Sequence, residues 1–328
     1  MRKPRVSIIV PVYGVERYIA RCAVSLFEQT YSHIEYVFVN DATPDRSIEI
    51  LREVMNRYPV RQKDVRIIDH PKNKGISATR NTGLRAVTGD YIFYVDSDDY
   101  VDIQAIEKLV QYTEKSQADI VLFDTNVVSE KGIRCESVHW KDKVSYVKGL
   151  LQHTEKCAHW NKFYNAQFYL STGVFADERI RLADDYAVTP RIIHQAQNIF
   201  VLHVPLYYYE TRNQNSYVHN LTRSAIESVY QADTILVEYF KKVEDSSVYA
   251  DVIASLSQRS LTSLLKTADR SAWSDLFDVY SACLQQRVGK ELTLVNKVIF
   301  RLAQSHSTLG LRIFLPLYRF VMKCLQIC

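Results

Sequence analysis

Residues 89–99 read Gly89-Asp-Tyr-Ile-Phe-Tyr-Val-Asp-Ser-Asp-Asp99. A Gly-Asp turn signal opens the stretch, an unbroken apolar run follows, and three carboxylates crowd its last four positions. Tyr91–Asp96 therefore reads as a strand buried on both faces, of the kind parallel sheets use. Outward toward the amino terminus the pattern repeats. Val6–Tyr13, Glu35–Asp41 and Val65–His70 are strand-like, and each is followed by a segment of helical periodicity: Glu16–Gln29, Asp45–Tyr58 and Ser77–Val87. Outward toward the carboxyl terminus, Ile103–Lys115 reads as a helix and Asp119–Val127 as a fifth strand. Strands alternating with helices mean βαβ units, right-handed crossovers and an α/β fold whose sheet is mainly parallel and flanked by helices. Such sheets bind ligands at the carboxyl ends of their strands. Here those ends carry Pro11-Val12-Tyr13, Asn40-Asp41 and Asp96-Ser97-Asp98-Asp99.

The acids at 96, 98 and 99 repel one another, and burial penalises them further. A divalent cation, Mn²⁺ or Mg²⁺, relieves both problems, and carboxylate oxygens suit such hard ions. Taken alone, the run reads equally as a turn of solvated acids; the buried strand in front of it favours the cation. Asp41 can accept hydrogen bonds from a base or ribose edge, whereas Asp45 reads as a helix cap. Arg80 falls one turn inside the helix opened by Asn73-Lys-Gly-Ile-Ser, where it can face a diphosphate; a plain surface arginine is the alternative. Asp184-Asp185 reads by itself as acid at a helix start, favoured by the helix dipole. No GxGxxG and no GxxxxGK[ST] occurs, which disfavours a nicotinamide dehydrogenase and a P-loop ATPase.

The 328 residues exceed a comfortable single core and suit one larger domain with an appendage. Apolar residues are 47% and charged residues 24%, and only 9 glycines and 8 prolines argue against long linkers. Lys143–Arg212 is mixed in character and includes a strand-like aromatic run, Ile199–Tyr209. Beyond it, Thr222–Lys242, Tyr249–Ala268, Trp273–Gln286 and Leu292–Leu302 are helical in period. The expected division is 1–218, with a nucleotide half at 1–130 and an acceptor half at 131–218, followed by a helical region at 219–328. None of the six cysteines forms a CxxC pair, and no signal peptide or 18-residue apolar span is read, so the cysteines are expected free in a reducing cytoplasm. The net charge of +4 is uneven. From Arg287 to Cys328 seven basic residues face one acid, net +6, which leaves −2 for the rest. That tail suggests an anionic surface as partner. Within Leu309–Ile327, Arg312, Arg319, Lys323 and Gln326 share a helical stripe, and Leu311, Phe314, Leu315, Tyr318, Val321, Met322 and Leu325 form a broad apolar face. The segment reads either as an interfacial helix on a membrane or as a terminal helix packing on the appendage, with Pro316 expected to kink or break it. The first two-thirds of the chain has no basic patch interleaved with aromatics, so nucleic acid is not an expected partner.

The segments Val-Ser-Ile-Ile-Val-Pro-Val-Tyr, Val-Asn-Asp-Ala-Thr-Pro-Asp, Asn-Lys-Gly-Ile-Ser-Ala-Thr-Arg-Asn-Thr-Gly-Leu and Gly-Asp-Tyr-Ile-Phe-Tyr-Val-Asp-Ser-Asp-Asp, in this order over the first hundred residues, resemble glycosyltransferase family 2. The resemblance implies the Rossmann-like GT-A fold and transfer of a sugar from a nucleotide-sugar donor, UDP by default, to an acceptor hydroxyl in glycan or surface-polysaccharide synthesis, with inversion. It assigns Pro11, Val12, Tyr13 and Asp41 to the nucleotide base, Glu16 to the nucleotide's vicinity, Asp96 to ribose or metal and Asp98 to the metal, with Asp99 assisting. Asp184-Asp185 matches the family's Glu-Asp pair, which makes Asp185 the general base. Trp160-Asn161-Lys162 and Tyr207-Tyr-Tyr-Glu-Thr-Arg212 resemble the acceptor half of bacterial members. Three departures stand out: Asn40 for aspartate, Asp184 for glutamate, and Glu210 where many relatives have arginine. A glycan or lipid-linked acceptor is implied, with the enzyme cytoplasmic or peripheral at the inner face of the membrane. Two rivals remain at this point: a nucleotidyltransferase, which would release pyrophosphate, and a sugar-nucleotide-binding module without turnover.

Overall fold

In the computed structural model the described residues are 2–213 and 221–325. The chain runs β1 (Val6–Val12), α1 (Ile19–Phe27), β2 (Ile34–Asn40), α2 (Ser47–Asn56), α3 (Pro59–Gln62), β3 (Val65–Asp69), α4 (Ile76–Ala86), β4 (Tyr91–Tyr94), β5 (Tyr100–Val101), α5 (Ala105–Ser116), β6 (Ile120–Ser129) and β7 (Gly132–Glu136). It continues with α6 (Lys143–Leu151), β8 (Lys162–Asn165), α7 (Ala166–Ser171), α8 (Asp184–Gln195) and β9 (Ile199–Glu210). Helices follow: α9 (Arg223–Lys242), α10 (Ser246–Ile253), α11 (Leu256–Thr267), α12 (Trp273–Val279), α13 (Ser281–Leu284), α14 (Leu294–Gln304) and α15 (Thr308–Leu325). Described residues 2–150 and 155–213 cluster into one compact unit, and 151–154 with 221–325 into a second. The expected boundary at 218 lies outside the described residues.

In the first unit the strands form one sheet, ordered β3-β2-β1-β4-β8-β6-β9-β5, with β7 on β6. The first four of the five strands read from the sequence are parallel neighbours, whereas the fifth, β6, is separated from them by β8. Beyond β4 the sheet becomes mixed. β8 enters antiparallel to β4 and β6, β6 runs parallel to β9, and β5 pairs antiparallel with β9. A four-residue insertion such as β8 leaves no periodic signature, so the parallel reading extends only over the amino-terminal half. Register aligns the carboxyl ends: Val12 lies beside Asn40, and Asn40 beside Asp69. Tyr13, Asp41, His70 and Asp96 therefore emerge along one edge.

One face of β1 buries Val6, Ile8, Val10 and Val12 against Ile19, Cys22, Leu26 and Phe27 of α1. On Ile9, α4 approaches so closely that a Cβ at Gly83 would lie 2.4 Å from Ile9 Cγ2. Gly75 opens α4 at φ +87°, a backbone conformation that side chains other than hydrogen disfavour.

The second unit is all helix. Thr222 caps α9 and Thr293 caps α14 through side-chain oxygens that accept from Ala225 and Asn296 N–H groups. Its core gathers Ile226, Leu261, Leu265, Trp273, Leu276, Tyr280, Ile299, Phe300, Leu311 and Leu315. Two expected helices are each divided. Tyr249–Ala268 breaks at Ser255, whose hydroxyl bonds the Val252 carbonyl in competition with the helix ladder. Trp273–Gln286 breaks at Tyr280, which turns a fully buried ring inward. α15, in contrast, passes through Pro316 as one helix, so the expected break is absent. The amino-terminal part of its expected apolar face packs inward, with Phe314 against the helical core beside Leu311 and Leu315, as the reading of a terminal helix on the appendage expected. Leu311 and Leu315 are buried in the helical core, while Leu309, Ile313, Leu317 and Phe320 are exposed. The exposed stripe of Leu309, Ile313, Leu317 and Phe320 was not part of the expected face. Positions 326–328 of that segment lie outside the described residues. Cys22, Cys135, Cys157 and Cys283 are free thiols. Among the described residues no helix is long and apolar enough to cross a membrane.

Candidate active site

The acidic turn after β4 is built from the backbone up. The Asp99 N–H closes on the Asp96 carbonyl at 3.0 Å, which folds 96–99 into a tight turn. Asp99 is fully buried: Tyr207 Oη donates to its Oδ2 at 2.6 Å and the Glu210 N–H to its Oδ1 at 2.7 Å. The same Tyr207 hydroxyl accepts from the Asp96 N–H at 3.0 Å. Asp99 thus anchors the turn to β9 and is turned away from any ligand. Burial, with the charges of Asp98 and Asp96, pushes its pKa well above the carboxylate range. Asp96 and Asp98 stay partly exposed. Asn213 Nδ2 donates to Asp98 Oδ2 at 2.8 Å, and burial with the Asp96 charge raises the Asp98 pKa.

Asp96 and Asp98 offer carboxylate oxygens at the partly exposed end of the strand, and hard oxygen donors match a divalent cation. Among the described residues no three His, Cys, Asp or Glu side chains converge on one point. Two carboxylates with the remaining shell from phosphate and water is the way Mg²⁺-type ions are held at nucleotide sites. The residues at 96 and 98 fit that group.

Arg80 joins this turn to the second acidic pair. Its Nη2 donates to Asp96 Oδ1 at 2.9 Å and its Nη1 bonds Asp184 Oδ2. Arg80 is 8% exposed, and its Nε is a buried donor without an acceptor. Burial opposes its charge, but Asp184, Asp96 and Asp185 hold it firmly protonated. Asp184 and Asp185 are the first residues of α8, entered through Ala183 at φ +67°. Asp185 Oδ1 accepts from the Tyr186 N–H at 2.7 Å. Burial and the Asp184 charge, against the pull of Arg80, push the Asp185 carboxyl up to about 6.

On the nucleotide side, Asp41 is buried and accepts from Lys74 N–H and Gly75 N–H at 2.8 Å each, with His70 Nδ1 also 2.8 Å away. It organises the loop before α4, and a carboxylate with about four acceptor sites keeps room for one more donor. Val12 faces the core, so it can offer a ligand only backbone, while Tyr13 stands exposed at the strand end. The Glu16 carboxylate accepts from the Arg46 N–H at 3.3 Å. Asp45 accepts from the Ser47 N–H but stands one position ahead of the cap it was expected to form, since Arg46 is the cap residue of α2 and has no side-chain cap bond.

Several residues had no role assigned from sequence. Glu210 holds Arg212 through two side-chain bonds, at 2.7 and 2.6 Å, and Arg21 at 3.1 Å. The Arg212 bonds first, then Arg21, pull its carboxyl down to about 2. Arg21 also donates to the Asp98 carbonyl at 3.0 Å. Trp160 stacks on Tyr207 and Tyr209, and the fully buried Lys162 Nζ donates to the carbonyls of Lys156 and Ala158 and to Asn161 Oδ1. Tyr207 lay in a quoted segment, but nothing local signals that its hydroxyl meets Asp99, 108 positions earlier.

The fold has counterparts among known proteins. The fold is GT-A, as in Staphylococcus aureus TarS 1-349 in complex with UDP-GlcNAc, which superposes with a TM-score of 0.75 over 96% of this chain and 91% of that one at 18% identity. A mannosyltransferase from Pyrobaculum calidifontis in complex with GDP-Man and Mn²⁺ aligns with a TM-score of 0.53 at 14% identity, over 94% and 89% of the two chains. The glycosyltransferase EpsJ of Bacillus subtilis, itself uncharacterized, is 33% identical over 264 residues, 75% of this chain and 74% of that protein. Residues 7–170 match the model of glycosyl transferase family 2, from the first strand past the acidic turn. With half the chain inside that match and three quarters aligned to EpsJ, the protein belongs to glycosyl transferase family 2 and is a glycosyltransferase.

Proposed function

We propose that this glycosyltransferase carries out a single in-line displacement. The sugar of a nucleoside-diphosphate donor, UDP-linked by default, passes to an acceptor hydroxyl with inversion. Asp185 accepts the hydroxyl proton. Pro11, Tyr13 and Asp41 border the base, with the Val12 backbone and Glu16 near it. Asp96 and Asp98 would hold a divalent cation, which supplies positive charge for the leaving diphosphate. Arg80 fixes Asp184 and Asp96 in one arrangement and so keeps the base-bearing end of α8 in register with the acidic turn. The observation that carries this reading is that single guanidinium bound to both acidic motifs.

The acceptor is a glycan or a lipid-linked glycan, and the protein works at a membrane surface reached through α15. Support for that comes from the basic tail and from the exposed apolar residues of the same helix. The test is a panel of sugar nucleotides incubated with Mn²⁺ and candidate acceptors. Acceptor-dependent release of nucleoside diphosphate, abolished by chelator, is the expected result. Release of pyrophosphate, or binding without turnover for every donor, overturns the reading.

A further inference from the structure

The helical unit contains a cavity of about 320 Å³ between the end of α11 and the middle of α15. Three arginines, Arg270, Arg312 and Arg319, line it together with one acid, Asp269. Arg319 is fixed there: its Nε donates to the Lys266 carbonyl at 2.8 Å and its Nη2 to the Ala268 carbonyl at 3.3 Å. Among the described residues Arg270 and Arg312 have no ion-pair partner. Trp273 forms another part of the wall, and its indole N–H is buried without an acceptor. Like charges gathered round one small space repel, and a single carboxylate cannot balance three guanidiniums. Their planar forks match the oxygens of a phosphate group.

We propose that this cavity is a phosphate-binding site. The volume lies at the low end for ligand pockets and accommodates a phosphate with its immediate substituent. The position of the arginines on α15 indicates where the phosphate comes from. At 3.6 residues per turn, Arg312 and Arg319 fall between two apolar stripes. On one side Leu311 and Leu315 are buried; on the other Leu309, Ile313, Leu317 and Phe320 are 59–68% exposed. A phosphate held at that border leaves an attached hydrocarbon chain beside the exposed stripe, which is the arrangement of a lipid headgroup. The site itself stands on the helical unit alone; only the lipid source rests on the membrane reading above.

The test uses the full chain and an Arg270→Gln/Arg312→Gln double variant, whose side chains are exposed and lie outside the transfer site. Two probes separate the sources: vesicles of phosphatidylcholine with or without phosphatidic acid, and inorganic phosphate followed by calorimetry. The wild type is expected to bind phosphatidic acid vesicles about tenfold or more tightly than the double variant does, at about 1 kcal/mol per arginine. Donor turnover with a soluble acceptor should be equal in the two proteins. An Ile313→Ser/Leu317→Ser variant should lose vesicle binding while keeping whatever phosphate binding the wild type has. Saturable phosphate binding without vesicle binding supports the site and removes the membrane reading. If neither probe binds the wild type, or both bind the double variant equally well, the site is refuted.

Discussion

Asp185 stands under opposing influences. Burial and the neighbouring Asp184 charge raise its pKa and Arg80 lowers it, with a balance at about 6. A base must be deprotonated to act, so kcat should rise with pH through about 6 and level off above it. Asp185→Asn should lower kcat by roughly 10²–10⁴-fold and leave sugar-nucleotide affinity within about threefold, because the base acts in the transition state. A dead Asp184→Asn beside an active Asp185→Asn would assign the role to the other carboxylate. Stability should move the opposite way. The folded carboxyl keeps its proton to about pH 6, whereas an unfolded one releases it near pH 3.9. Its contribution is therefore present below the unfolded value and lost as pH rises through 6, so Asp185→Asn should raise Tm at pH 8, as differential scanning calorimetry can read. The acidic pair itself was legible in sequence, as a helix start. Its restraint was not, because Arg80 sits 104 positions away and an ion pair across that separation imprints no local pattern.

At the scale of elements, the acidic turn depends on a strand far from it in sequence. β9 supplies the Tyr207 hydroxyl and the Glu210 N–H that fix Asp99. Tyr207→Phe strips Asp99 of one donor and leaves the Asp96 N–H without its acceptor. We expect a loss of about 1–3 kcal/mol in urea unfolding and a several-fold rise in the Mn²⁺ concentration for half-maximal activity. An unchanged Mn²⁺ dependence would detach the turn's geometry from the metal. A second element-scale test is Gly83→Ala, whose Cβ would meet Ile9 Cγ2 at 2.4 Å and push α4, with Arg80, off β1. The cost expected from overpacking is about 1–3 kcal/mol, read as a lowered Tm. The long strands and helices of the amino-terminal half could be read because their apolar runs are continuous or of helical period. β5, β7 and β8 could not: they are two to five residues long and exist through pairing with β9, β6 and β4. The aromatic run at Ile199–Tyr209 was legible as a strand, but its service to the acidic turn became visible only when β5 paired with it and brought Tyr100 against Tyr208.

For the whole molecule, sequence separated an α/β part from a helical part because the apolar period changes from strand-like to helical. It named the face of the last helix that holds Leu311 and Leu315 but left open what that face meets, since this depends on a core assembled from α9, α11, α12 and α14. The structure makes the division testable by stability alone. Leu311→Ala and Leu315→Ala each remove a side chain from the helical core and should cost about 2–5 kcal/mol in urea unfolding. Leu309→Ala and Ile313→Ala remove side chains that are already in solvent and should change stability by no more than about 0.5 kcal/mol. A helix whose outward leucines are inert for folding carries them for some other contact. If Ile313→Ala instead costs as much as Leu315→Ala, and the cost falls on dilution, then a second copy of the chain covers that stripe in solution. The apolar residues would then belong to a subunit interface, and of α15 its basic residues, Arg312 and Arg319 among them, would be left to meet a membrane.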